Sequence, residues 1–256
     1  MRHYFNLKTP KATHSPLTQV TKLTVALASY LSVTSYAAFS IPKGQAVLEL
    51  GGASISKAPT QLIAIGEGSL GNIHRVYHSQ DLRFLAGLGY FFDVLTYKPL
   101  SFGLGPQIYY LKQHNTQGVI DIERAFPNLS YQYQTQNTPL YAAVKAKWAG
   151  QDEVSSLVLN AGIGPNFIKT KNYYEHSLDD GITIPNQAFA GQSRTRFSAM
   201  AGLGLQFKTP HKTLAFEVGY KYFYLGEGTL NPRPGFLNQL TTGHQSTHAL
   251  TLSLLA

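Results

Sequence analysis

Residues 212–225, KTLAFEVGYKYFYL, separate into two chemically different sets when every second position is taken. One set is Leu214, Phe216, Val218, Tyr220, Tyr222 and Tyr224; the other is Thr213, Ala215, Glu217, Gly219, Lys221 and Phe223. Successive side chains of a strand point to opposite faces, so this is a strand with one apolar face and one polar or small face. The apolar face turns aromatic toward one end, as where a strand leaves hydrocarbon for a headgroup layer. No stretch reaches the roughly 18 uninterrupted apolar residues that a membrane-crossing helix needs. Lipid satisfies no backbone hydrogen bonds, so a chain of this kind crosses a membrane only as a closed β-barrel.

The same two-faced alternation recurs at 45–52, 82–92, 100–110, 129–134, 140–148, 156–167, 196–207 and 248–254. Turns are predicted at 98–99, 136–139, 150–153 and 209–211, and long polar loops at 170–193 and 226–243. Nine strands are readable, and a barrel with both ends on the periplasmic side needs an even number. Residues 73–78 supply the natural tenth, with 61–65 as a further short strand. The expectation is an all-β, antiparallel up-and-down transmembrane barrel of about ten strands. Eight is the alternative, if two weak segments merge or one lies flat.

Alternation assigns faces. Outward, toward lipid, go Phe84, Leu88, Leu104, Ile108, Val144, Trp148, Leu159, Ile163, Leu203, Leu205, Phe216, Val218, Tyr220, Tyr222, Leu250, Leu252 and Leu254; Leu129, Tyr131 and Tyr133 are placed outward by the same reading. Inward go the charged residues Glu49, Arg83, Lys145, Lys147, Arg196, Glu217 and Lys221. Buried charge is costly unless paired or hydrated, so these form either a network filling a narrow lumen or a small basic-lined pore favouring anions. Four segments echo one another: AGLGYFF (86–92), FGLGPQI (102–108), AGIGPNF (161–167) and AGLGLQF (201–207). Both glycines of each fall inward, leaving room in a narrow interior. A phosphate loop is excluded by context, since none has the G-x-G-x-x-G spacing or opens a helix.

The N-terminus reads as an export signal. Arg2, Lys8, Lys11 and Lys22 precede the apolar stretch LTVALASYLSV (23–33), and Ser35-Tyr36-Ala37 offers small residues for cleavage. The domain boundaries follow: 1–37 signal peptide, 38–256 barrel. Removing those four cations lowers the formal charge from +8 to +4, which withdraws most support from nucleic-acid binding. With no cysteine, disulfides and cysteine-based metal or redox chemistry are excluded.

These features resemble the small outer-membrane β-barrel proteins of Gram-negative bacteria, over roughly 44–256. The carriers are the glycine-rich alternating strands, the tyrosine-ended strand at 212–225 and the last strand, HALTLSLLA, with Ala256 where that family has a terminal aromatic. The resemblance implies insertion by the barrel-assembly machinery through that last strand, contact with outer-membrane lipid and lipopolysaccharide, and a monomer in the bacterial outer membrane.

Some such barrels are enzymes, so paired nucleophiles, bases and acids matter. His74, and His78 beside Ser79, match no named active-site motif. In loop 170–193, Glu175, His176, Asp179 and Asp180 offer oxygen and nitrogen donors for a divalent cation, but Asp-Asp-Gly is also an ordinary turn sequence and calcium-loop spacing is absent; Tyr173 and Tyr174 there suit contact with lipopolysaccharide or a host surface. No catalytic, cofactor or metal residue is assigned. The leading expectation is a non-enzymatic structural or surface-interaction protein, with a host or surface ligand at loops 170–193 and 226–243. A narrow channel and a lipid-modifying enzyme are the alternatives; a soluble barrel with an apolar interior does not fit the face assignment.

Overall fold

The computed structural model describes residues 43–56, 58–66, 68–77, 82–151, 154–209 and 214–256. The export signal at 1–37 and the His78-Ser79 pair lie outside them. Within them run eleven strands: β1 (Gly44–Ile55), β2 (Gln61–Ile63), β3 (Asn72–Val76), β4 (Arg83–Tyr97), β5 (Leu100–Ile122), β6 (Phe126–Ala149), β7 (Ser155–Ser177), β8 (Phe189–Ala190), β9 (Ser193–Lys208), β10 (Ala215–Pro232) and β11 (Leu240–Leu255).

Eight of these close a ring, β1-β4-β5-β6-β7-β9-β10-β11 and back to β1, every neighbour antiparallel. Closure is completed where Ala256 and Ala46 exchange backbone hydrogen bonds of 3.1 and 2.9 Å.

The ring therefore has the smaller of the two expected strand numbers, for two reasons. The expected tenth strand, described as far as residue 77, does not cross the ring: β3 forms a hairpin with β2 and pairs with the upper end of β5. And residues 136–139 do not turn. Gln136 pairs with Lys169 and Asn137 with Ile168, so 129–134 and 140–148 are parts of one 24-residue strand. The long loops shorten likewise: β7 runs on to Ser177 and β10 to Pro232.

An outward band of exposed apolar side chains girdles the ring, with Leu48, Leu88, Leu104, Val144, Leu159, Leu203, Val218 and Leu252 spread over the eight strands. This is the lipid-facing surface of a transmembrane barrel. A tilted strand needs only about 9–11 residues to cross the bilayer, yet β5, β6 and β7 have 23, 24 and 23. Their surplus stands on the side opposite the short turn between Tyr97 and Leu100. There the polarity of the wall reverses. On β6 the outward residues pass from Val144 and Leu140 to Gln136, Gln134 and Gln132, while Leu129, Tyr131 and Tyr133 turn inward and are 2, 2 and 1% exposed. Their predicted outward placement is thus corrected: above the bilayer the outer face meets water, and apolar side chains gather inside.

The result is two stacked interiors. The lower holds Leu85, Tyr109, Tyr141, Met200 and Phe223 among others. The upper is a separate cluster of Ile63, Ile120, Leu129, Tyr131, Tyr133, Phe189, Leu230 and Leu240. Its wall is completed by β2 and β3, because β1 and β4 stop at Ile55 and Arg83. On its free side Gln61 binds the backbone of Thr241, donating from Nε2 to the carbonyl at 2.6 Å and accepting from the amide at 2.9 Å.

Candidate functional site

The inward glycines of the repeated segments show what the lower interior is built to hold. A methyl group on Gly87 would come within 2.6 Å of the Tyr109 ring, and one on Gly202 within 2.7 Å of Lys221 Cγ. Gly162 faces Met200 and Gly204 faces Glu217 in the same way, at 3.1 and 3.2 Å. Small residues on one strand are the footprints of long side chains from others.

Those long chains meet at the centre. Lys221 on β10 reaches Glu49 on β1 at 2.5 Å and donates to the Tyr109 hydroxyl at 2.7 Å. Tyr109 lies on β5, four strands away around an eight-strand ring, so this bond crosses the full diameter. Ser253 and Gln107 add donors to the same Glu49 oxygen at 3.3 and 3.5 Å. Two inward positions further down β10, past Gly219, Glu217 pairs with Lys145 of β6 at 2.6 Å, and Asn160 donates to the other Glu217 oxygen at 3.3 Å. All four charged side chains are at most 4% exposed. Ion pairs so enclosed are tolerable only when geometry and extra hydrogen bonds offset their desolvation; here the extra bonds go to Glu49 Oε2 and Glu217 Oε1, and among the described residues Glu49 Oε1 has no hydrogen-bond partner. Above them, Asn166 bonds Asn137 and the Leu225 carbonyl, each at 2.8 Å.

Of the seven inward charges, then, Glu49, Lys145, Glu217 and Lys221 converge as two neutral pairs. The prediction of a basic lumen does not describe this centre. Arg83 and Arg196 are half-buried toward the upper end, Arg196 bonding the Glu227 carbonyl at 3.2 Å, and Lys147 is half-buried toward the lower. The seventeen predicted lipid-facing residues all lie on the outer wall and are exposed.

The acidic and aromatic residues of 170–193 do not converge on a common point. Glu175 points into the upper interior, where its carboxylate accepts from the amides of Asn186, Gln187 and Ala188 at 2.8, 2.9 and 3.0 Å and from the Tyr173 hydroxyl at 2.7 Å. Asp179 organises the turn beyond β7 through Ser177, Thr183 and Asn128, which together hold its carboxyl well below the usual range. His176 and Tyr174 face outward. His74 is packed between the rings of Tyr131 and Phe189, at 5.1 and 5.7 Å, and burial holds its pKa at about 4. Among the described residues no group of three histidines and carboxylates is placed to hold a metal ion. The inward positions of Gln107 and Tyr109 were legible from alternation. The anchoring role of Glu175, the burial of His74 and the Gln61 clasp were not, because each depends on a partner that no local pattern specifies.

A closed ring of eight antiparallel strands, an outward apolar belt and an interior filled by side chains define a small transmembrane β-barrel. No protein-family model matches the chain, and no curated protein matches it. Among solved structures it is similar to the outer membrane protein OprG of Pseudomonas aeruginosa, at 12% identity over 84% of this chain and 97% of that one, with a TM-score of 0.47. It is also similar to the outer membrane protease OmpT of Escherichia coli, at 12% identity over 87 and 99% with a TM-score of 0.47, and to Neisserial surface protein A, at 12% over 83 and 96% with 0.41. These likenesses concern the fold and carry nothing about activity.

Proposed function

We propose that the protein is a non-enzymatic barrel of the Gram-negative outer membrane that serves as a sealed pedestal, holding an ordered extracellular storey for contact with partners at the cell surface. The observation that carries this reading is the pairing of surplus strand length with its own apolar core. Three strands continue well beyond the bilayer, and the wall they build is capped and packed rather than left as loose loops. Ordering that many residues costs about 1–2 kcal/mol each in backbone entropy, which a channel with a few short loops would not need. The paired charges across the lower interior support a filled lumen. Export through 1–37 and insertion by the assembly machinery belong to the same proposal.

The test places purified protein in planar bilayers and, separately, on the surface of otherwise non-adherent bacteria. The reading expects a silent bilayer together with binding to host cells or matrix that is lost when 178–192 and 233–239 are exchanged for short turns. Stable conductance steps, or binding unaffected by the exchange, overturn it.

A further inference from the structure

The outer wall above the apolar belt changes chemistry in steps as it rises over β5, β6, β7 and β9. The belt ends at Tyr110 on β5, Leu140 on β6 and Phe167 on β7. Immediately above come cations: Lys112 follows Tyr110, Lys169 follows Phe167 on the same outward face, and Lys171 stands beside them, whereas Arg194, in register with buried Ile168, lies on the inner face and donates to Gln192 Oε1 at 3.0 Å. Lys169 borders a groove of about 420 Å3 lined also by Phe167, Thr138 and Thr195. Among the described residues this stretch of wall carries no unpaired carboxylate; Asp121 is buried and bound to Arg75 at 2.7 Å.

One step higher, charge gives way to amides between tyrosines. Tyr77, just past β3, forms a single row with Gln117, Gln132 and Tyr174 on β5, β6 and β7: the Tyr77 amide donates to the Gln117 carbonyl at 2.9 Å, Gln117 pairs with Gln132, and Gln132 pairs with Tyr174. The two tyrosines are 57 and 52% exposed, and the row lines a groove of about 290 Å3 that Ser130 and His176 also border.

We propose that this wall is a binding surface for a phosphorylated glycolipid of the outer leaflet. The inference rests on the outer-membrane placement proposed above and goes beyond it by assigning residues to parts of the ligand. Acyl chains lie along the apolar belt. Phosphates, which sit where hydrocarbon ends, meet Lys112, Lys169 and Lys171, whose long stems reach that level and whose charge-assisted hydrogen bonds suit phosphate oxygens. The sugars then lie against the upper row, where tyrosine rings offer flat apolar faces with polar tips and each glutamine offers both donors and acceptors to neighbouring hydroxyls. The order of apolar, cationic and amide-aromatic surface along one wall matches the order of acyl, phosphate and sugar in one molecule. An anionic phospholipid satisfies only the first two.

The experiment uses the full chain in phosphatidylcholine vesicles with three probes: diphosphoryl lipid A bearing inner-core sugars, the same lipid A without sugars, and phosphatidylglycerol. Sugar-bearing lipid A is expected to bind most tightly. Replacing Lys169→Gln with Lys171→Gln should weaken both forms of lipid A about tenfold. Replacing Gln132→Ala with Tyr174→Ala should weaken only the sugar-bearing form, to the level of bare lipid A. These are outer-wall positions, and retention of heat-modifiable gel mobility verifies that each variant is folded. Equal affinity for phosphatidylglycerol, or indifference of sugar-bearing lipid A to either pair of changes, overturns the proposal. Silence in bilayers and cell binding are read separately, so failure here leaves the pedestal reading to its own test.

Discussion

Lys221→Met removes one half of a fully enclosed ion pair and leaves Glu49 with only neutral donors at 3.3–3.5 Å. Opposite charges 2.5 Å apart attract by about 6–7 kcal/mol at an effective dielectric near 20. Most of that is offset by the desolvation both groups already suffer, so the pair's net worth is small while the cost of stranding one charge is large, about 3–5 kcal/mol. Glu49→Gln strands Lys221 in the same way, except that the Tyr109 hydroxyl remains as an acceptor at 2.7 Å. Combining the two changes removes both charges and keeps comparable volume, so the double variant should fall within about 1–2 kcal/mol of the parent. The measurement is urea-dependent folding in lipid vesicles, with the compact and expanded gel bands as the readout, for the parent, both single variants and the double. The expected coupling is about 3 kcal/mol or more in favour of the double. Additive single effects, agreeing within about 0.5 kcal/mol, would refute the claim that this pair is a unit crossing the barrel.

Four further outcomes follow from the geometry. Glu175→Ala leaves three backbone amides without an acceptor and should lower the local stability of 178–192 by about 2–4 kcal/mol, seen as faster hydrogen exchange and proteolysis there while the lower barrel keeps its protection. His74 is neutral in the fold, with its pKa lowered from 6.5 to about 4, so the unfolded upper storey binds the extra proton first. Its contribution is therefore complete above pH 6.5 and falls away toward pH 4, by about 3 kcal/mol, and hydrogen exchange in β2 and β3 should rise over that window in the parent but much less in His74→Phe. Val218→Arg, in the middle of the belt, should cost about 2–4 kcal/mol in folding into vesicles, whereas Gln134→Arg on the same outer wall above the belt should cost close to nothing. Gly87→Val should be more damaging than either storey's surface changes, because its side chain would displace the Tyr109 ring; gel mobility in vesicles would report it.

The lower storey was legible because the bilayer writes a period of two into both faces of every strand that crosses it. Val218 against Glu217, Leu203 against Gly204 and Leu250 against Thr251 need no tertiary information to be sorted. The upper storey obscured that record in two ways. Outside the bilayer the apolar face is the inner one, so Leu129, Tyr131 and Tyr133, though in phase with Tyr141 and Lys145, resemble a separate strand facing the other way. Bulges then shift the phase itself: between Leu111 and His114 on β5, and between Lys171 and Tyr174 on β7, the inward positions change from one parity to the other. The candidate site was legible only as faces. That Lys221 meets Glu49 depends on ring closure, which joins residues 172 positions apart, and no single strand records which inward charge will stand opposite it.

The seam between β1 and β11 has a consequence for assembly. It joins the first and last strands of the ring, with Val47 against Leu255 and Ile55 against Thr247. Until β11 is delivered, β1 and β10 both present unpaired edges, and no such edge survives in lipid. The Glu49–Lys221 pair straddles that same seam, with β11 between its two strands. Each charge therefore waits, solvated or guarded, until the last strand arrives, and sealing the wall and neutralising the interior become one event.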